Sequence, residues 1–260
     1  MSRALRERGV HTVLWDLDGT LIGLRQRTFR VLMPVVAAAA FRDVVPPVRF
    51  LRALHGVLER VRANDSEETN HEQIVRLLGE VTGLDRPTAD ARFRALAHKQ
   101  FPRLRRCFHP LPPARAVVAD LTRAGVRQVV ATNPLWPLET VTTRLRWGGF
   151  EPGTFIHITS GETMRRSKPR PEFYTELLEQ IGAAPSECVM IGNDAIKDGP
   201  AATLGIPVFL LDPGRKHAAV SVGGSAGGDG SGVTGAGITA GDWAELAVWL
   251  GVGGAACSLS

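Results

Sequence analysis

Aromatic residues are scarce, at 6% of the 260 residues, and tyrosine occurs once, as Tyr174. A single-stranded nucleic-acid surface needs aromatic platforms interleaved with a gathered basic face. The net charge of +5 comes instead from arginines scattered over the whole length, with small clusters at Arg103, Arg105, Arg106 and at Arg165, Arg166, Lys168, Arg170. No nucleic-acid partner is expected, and the basic balance reads as a solvated surface with a weak pull on anionic substrates. Cysteine is scarce too. Cys107, Cys188 and Cys257 are odd in number, widely spaced and include no CxxC pair, which argues against a disulfide framework or a zinc site and for a reducing compartment. Long apolar runs are missing: the longest block, Val31 to Phe41, is interrupted by Pro34 and is too short to span a bilayer. Met1 to Gly9 is charged and leads into no long apolar core, so no secretory leader is expected. A cytoplasmic protein without a membrane partner is the resulting expectation. The seven histidines form no i, i+4 pair and none pairs with a cysteine, so they read as structural or surface residues.

What is present begins with Val13-Leu14-Trp15-Asp16-Leu17-Asp18-Gly19-Thr20-Leu21. An apolar run delivers two carboxylates two residues apart, and a glycine then lets the backbone turn. Side chains alternate along an extended segment, so Asp16 and Asp18 can face the same space. Two carboxylates about 4 Å apart repel by roughly 4 kcal/mol at an effective dielectric of 20, which calls for a cation or a shared proton. Mg²⁺ is the hard, oxygen-seeking candidate.

Val10 to Trp15 reads as a buried strand. From about Arg25 to Arg106 helical patterns follow one another: Val48, Leu51, Leu54, Val57, Leu58 and Val61 recur at spacings of three and four, and Ile74, Leu77, Leu78 and Val81 repeat the pattern before Gly83. This all-helical stretch, placed straight after the first strand, reads as an insertion into a different fold. From Pro112 helices and strands alternate. Helices are expected over Pro112–Leu121, Leu138–Trp147, Pro171–Ile181 and Ala195–Leu204, and strands over Val126–Ala131, Thr154–Ile158, Cys188–Ile191 and Pro207–Leu211. Such alternation means βαβ units and a doubly wound parallel sheet. Residues 222–241 hold nine glycines and little that could pack, and are expected to be a flexible excursion. A last helix carries Trp243, Leu246, Ala247 and Leu250.

In an open α/β sheet the ligand site lies outside the carboxyl ends of the strands. Strands are expected to end there at Asp16 with Asp18, at Thr132 with Asn133, and at Gly192-Asn193-Asp194-Ala195-Ile196-Lys197-Asp198. Lys168 precedes a further helix. Acids, a hydroxyl and a lysine on one rim match what phosphoryl transfer needs: a metal for the phosphate oxygens, donors to hold them, and a nucleophile.

The order and type of these motifs resemble the haloacid dehalogenase (HAD) superfamily of hydrolases. Asp16-Leu17-Asp18-Gly19-Thr20 is similar to its first motif, Thr132 to its second, Lys168 to its third, and Asp194 with Asp198 to its fourth. The resemblance covers nearly the whole chain and implies a Rossmann-like α/β core over 1–23 and 107–260 with an α-helical cap of the first type over 24–106. It further implies that Asp16 is a nucleophile forming an aspartyl-phosphate and that Asp18 is the general acid and base. Thr132 and Lys168 would hold the phosphate, with Asn133 a possible backbone-positioning or substrate-side residue. Mg²⁺ would be bound by Asp16, the Asp18 backbone carbonyl and Asp194, with Asp198 orienting a metal-bound water or Lys168. The family often has Asp directly after the glycine, where this chain has Asn193; either Asp194 takes over the metal contact or the Asn193 amide oxygen does, and Asp194 is the reading adopted. The implied activity is a Mg²⁺-dependent phosphatase for a small phosphorylated metabolite. Alternatives are a phosphomutase, a haloacid dehalogenase, against which Asp18 counts because halide departure needs no proton donor, and a non-catalytic binding protein on the same fold. The substrate and the oligomeric state are not legible.

Overall fold

The computed structural model describes residues 3–211 and 237–252. A short helix α1 (Arg3–Glu7) leads into strand β1 (Thr12–Trp15), buried along its whole length. Its side chains alternate between two cores, Val13 and Trp15 facing one and Leu14 the other. A strand covered on both faces has no polar alternation, which is why it reads as a continuous apolar run.

Strand β2 (Ile22–Leu24) follows, and its antiparallel partner β3 (Phe108–Pro110) lies far along the chain. Neither was expected from the sequence, since three-residue strands leave too short a pattern to read. Between them run α2 (Gln26–Ala40), α3 (Pro47–Arg62), α4 (Asn70–Thr82) and α5 (Arg86–Ala95), then a π-helical turn Leu96–Gln100 and a 3₁₀ turn Phe101–Cys107. Pro34 sits inside α2 rather than ending it. These helices bury their own cluster, with Phe41 stacked on Phe50 at 4.8 Å and Val57, Val61, Ile74, Leu77, Leu78 and Phe93 packed around them. In α4 the three-and-four spacing is this buried face, whereas in α3 the buried face carries Phe50, Val57 and Val61, and Val48 and Leu51 of the expected set are exposed. Gly83 ends α4 with φ +75°, a conformation that glycine adopts at little cost.

The remaining elements are α6 (Pro112–Arg123), β4 (Arg127–Val130), α7 (Leu138–Gly148), β5 (His157–Ile158), α8 (Pro171–Ile181), β6 (Cys188–Gly192), α9 (Ala195–Asp198), β7 (Val208–Leu211), β8 (Ile238–Gly241) and α10 (Trp243–Leu250). Six strands form one parallel sheet in the order β5-β4-β1-β6-β7-β8. This is the doubly wound α/β sheet expected. The chain moves outward from β1 through β4 to β5, then returns to β6 on the other side, so the direction of winding switches beside β1. A crevice opens at the carboxyl end of such a switch.

Three further expectations need correction. Ala195–Leu204 is not one helix: α9 makes a single α-helical turn and the chain continues as a 3₁₀ helix, Gly199–Leu204, with Pro200 at its start. Thr154–Ile158 is a 3₁₀ turn, Pro152–Thr154, before a strand of two residues. Within 222–241, Ile238–Gly241 is not a flexible excursion but the edge strand, paired with β7 from Val208↔Ile238 to Leu211↔Gly241. Backbone pairing holds it, with Ile238 and Ala240 against the second core, so side-chain bulk was a poor guide. Residues 222–236 lie outside the described residues. Among the described residues no helix is long and apolar enough to cross a membrane.

Candidate active site

Pairing carries each strand's end to the same edge. The Asp16 N–H donates to the Ile191 carbonyl at 2.8 Å and the Ala131 N–H to the Trp15 carbonyl at 2.7 Å, so Asp16, Thr132 and Asn193 leave the sheet side by side. The chain then turns tightly: the Leu17 carbonyl accepts from Leu21 and Ile22, each at 3.0 Å. Gly19 has φ +98°, and a Cβ there would collide with the Asn193 side chain. Glycine is required both for the turn and for the approach of Asn193.

Lys168 is fully buried and reaches two acids, Asp16 Oδ1 at 3.1 Å and Asp198 Oδ1 at 2.7 Å. Burial alone would push its ammonium pKa down, but Asp16 and Asp198 overturn this and hold it above the ordinary lysine range, so it stays charged. The rings of Phe173 and Tyr174 flank the ammonium at 5.7 Å and 6.0 Å. Asp198 is buried as well. Its Oδ2 accepts from the backbone N–H groups of Asn193 and Asp194, both at 3.1 Å, and a Cβ on Gly192 would run into this carboxylate. Burial pushes the Asp198 carboxyl up to about 6 against the opposing pull of Lys168. Asp198 thus ties the turn after β6 to the lysine that holds Asp16.

The Asp16 and Asp18 side chains pair with different cationic side chains, Lys168 and Arg144. Asp18 Oδ2 is ion-paired with Arg144 Nη1 on α7, and Asp18 Oδ1 is buried without a hydrogen-bond partner. Thr132 is buried, and its carbonyl accepts from the Thr159 hydroxyl at 2.7 Å. The Asn133 carbonyl accepts from the Leu135 N–H at 2.9 Å, and its side-chain Oδ1 is buried without a partner.

Asp194 stands differently from the adopted reading. Its Oδ1 caps α9, accepting from Ile196 N–H at 3.0 Å and Lys197 N–H at 3.2 Å, and its Oδ2 pairs with Lys197 Nζ at 2.8 Å. Burial raises its pKa, but the Lys197 contacts outweigh that and leave it below the usual carboxylate range. Both oxygens are thus committed to its own helix, while Asn193 lies against Gly19. Among the described residues no three His, Cys, Asp or Glu side chains are gathered to hold a metal ion. Asn193 meets Gly19 across the turn after β1, and amide, carbonyl and carboxylate oxygens are hard donors of the kind that Mg²⁺ takes.

Sequence reasoning missed Arg144, Phe173 and Tyr174. A signal for Arg144 was present: Thr140, Val141, Arg144, Leu145 and Gly148 repeat at three and four, which sets an arginine on the buried stripe of α7.

A parallel α/β sheet with acids and a buried lysine at its carboxyl edge defines an α/β enzyme working at a topological switch point. A family model for haloacid dehalogenase-like hydrolases matches residues 10–204, and the chain belongs to that family. Hexitol phosphatase A of Escherichia coli strain K12 is 26% identical over 195 residues, covering 74% of this chain and 76% of that protein. Phosphoglycolate phosphatase of Rhodospirillum rubrum is 28% identical over 141 residues, covering 54% of this chain and about half, 52%, of that protein. The crystal structure of 2-haloacid dehalogenase from Pseudomonas syringae pv. Tomato DC3000 superposes with a TM-score of 0.60 at 19% identity, over 93% of this chain and 98% of that one, a likeness of fold.

Proposed function

We propose that the protein is a Mg²⁺-dependent phosphatase that hydrolyses a small phosphomonoester through an aspartyl-phosphate on Asp16. The observation that carries this reading is the Asp16–Lys168–Asp198 chain at the end of β1, with a second acid, Asp18, on the same loop. Similarity to curated phosphatases supports the same substrate class.

In the first half-reaction an Asp16 carboxylate oxygen bonds to phosphorus, the bond from phosphorus to the ester oxygen breaks, and Asp18 gives its proton to the leaving alkoxide. In the second, water attacks the phosphorus of the aspartyl-phosphate and its proton passes to the Asp18 carboxylate. Inorganic phosphate leaves and Asp16 is regenerated. Lys168 holds the Asp16 carboxylate and offsets charge on the phosphoryl oxygens, and Thr132 donates to one of them. When bound, Mg²⁺ neutralises phosphate charge. Asp16, the Asp18 carbonyl and Asn193 would hold it, while Asp198 keeps Lys168 in place. The helices of 24–106, closed off by β2 and β3, act as the cap over the core formed by 1–23 and 107–260.

Hydrolysis of p-nitrophenyl phosphate, with Mg²⁺, with EDTA, and by Asp16→Asn, tests the proposal. Turnover is expected only for the unmodified protein with Mg²⁺. Equal background in all three removes the phosphatase reading and leaves a binding protein on this fold.

A further inference from the structure

Arg144 is 3% exposed, and among the described residues its one carboxylate partner is Asp18. Its Nε reaches the Thr140 carbonyl at 3.4 Å, its Cζ lies 5.9 Å from the centre of the Phe101 ring, and its Nη2 is buried without a hydrogen-bond partner. Stability alone is a poor account of this residue. A buried ion pair returns little net energy after desolvation, and an apolar side chain of similar volume serves a core as well or better. What the pair does accomplish is to treat the two oxygens of Asp18 differently. Oδ2 is anchored to a helix whose Val141 and Leu145 share a buried core with Val13 and Trp15 of β1, and Oδ1 is buried without a hydrogen-bond partner.

We propose that Arg144 is a positioning residue that fixes Asp18 by one carboxylate oxygen, so that the other alone exchanges the proton with the leaving group and with water. This rests on the phosphatase reading above. The anchor reaches the loop from α7, 126 residues along the chain, and through the Phe101 ring it touches the segment that joins the helical insertion to the core. Without it the Asp18 side chain can turn about χ1 and present either oxygen, or neither, to the ester.

The test compares two substrates that differ in their need for a proton. An alkyl phosphate such as β-glycerophosphate expels a strongly basic alkoxide, whereas p-nitrophenyl phosphate expels a weakly basic phenolate. The ratio kcat/KM reports only steps up to departure of the alcohol, so the second half-reaction drops out. For Arg144→Met we expect kcat/KM on β-glycerophosphate to fall about 10- to 100-fold, within the range that a general acid supplies, and on p-nitrophenyl phosphate by a markedly smaller factor. Arg144→Lys should recover part of the loss. In an Asp18→Asn background Arg144→Met should add almost nothing. An equal loss on both substrates, or full additivity with Asp18→Asn, overturns the proposal. So does a raised KM with kcat intact, which would make Arg144 a substrate-binding residue. Thermal melts accompany each variant; should Arg144→Met not fold, Arg144→Gln, which keeps a donor and drops the charge, runs the same comparison. If the unmodified protein hydrolyses neither ester, it is the phosphatase reading that fails, and the positioning role falls with it.

Discussion

At the residue scale the proposed metal contact turns on two neighbours in one turn. Asn193 is the residue whose side chain lies against Gly19, while Asp194 is spent on the N-terminus of α9 and on Lys197. In the proposed Mg²⁺ site a neutral amide in place of a carboxylate would leave Asp16 as the anionic side chain among the three ligands, and divalent affinity falls as ligand charge is removed. Asn193→Asp should therefore bind Mg²⁺ about tenfold more tightly, a change of ~1.4 kcal/mol, read by isothermal titration calorimetry on the protein alone. Asp194→Asn should leave that affinity unchanged. The reverse pattern would restore Asp194 as the ligand. That distinction could not be read from the sequence, because adjacent residues in a turn face different ways and only the turn's geometry says which faces the loop.

At the scale of elements, α4 joins the helical insertion to the strand-end loops of the core. Its N-terminus carries a capping box in which the Glu72 N–H donates to the Thr69 hydroxyl at 3.2 Å and the Thr69 N–H to the Glu72 carboxylate at 2.9 Å. The next two N–H groups cross to the core, Asn70 to the Met164 carbonyl at 2.8 Å and His71 to the Gly161 carbonyl at 2.7 Å. Asn70 also donates to the Ser167 hydroxyl at 3.2 Å, directly before Lys168, and Arg94 pairs with Glu162 at 2.8 Å. Capping thus orients the insertion on the segment that delivers Lys168. Thr69→Ala should cost about 1 kcal/mol, a drop in Tm of about 2–4 °C for a chain of this size, measurable by calorimetry. No change in Tm would mean that docking, rather than the cap, holds this end. The helix itself was legible from its apolar spacing and from Gly83; its docking onto 161–167 was not, since no local pattern encodes a contact across some ninety residues.

At the scale of the molecule, stability rests on a sheet covered on both faces and on a separate core within the helices. Leu14, wholly buried in the second core beneath the strand that carries Asp16, should cost 2–5 kcal/mol on truncation to Ala, the range of ~2–5 kcal/mol seen for such cavities. Val35, 57% exposed on α2, should cost almost nothing when changed in the same way. Urea titrations of both variants check the contrast, and similar midpoints would mean that β1 is not the centre of the core.

The sequence by itself determined the doubly wound sheet, the run of helices that follows the first strand, and which strands end in polar residues at one edge. Each of these is encoded locally, in apolar periodicity, in glycine and proline at element ends, and in carboxylates placed one step beyond a buried run. Only the tertiary structure decided that Asp16 and Asp18 answer to different cations, that Asn193 rather than Asp194 lies against the first loop, and that Ile238–Gly241 completes the sheet. Those are relations between side chains or backbones distant in the chain or turned apart within a loop, and they exist only once the sheet has brought its edges together.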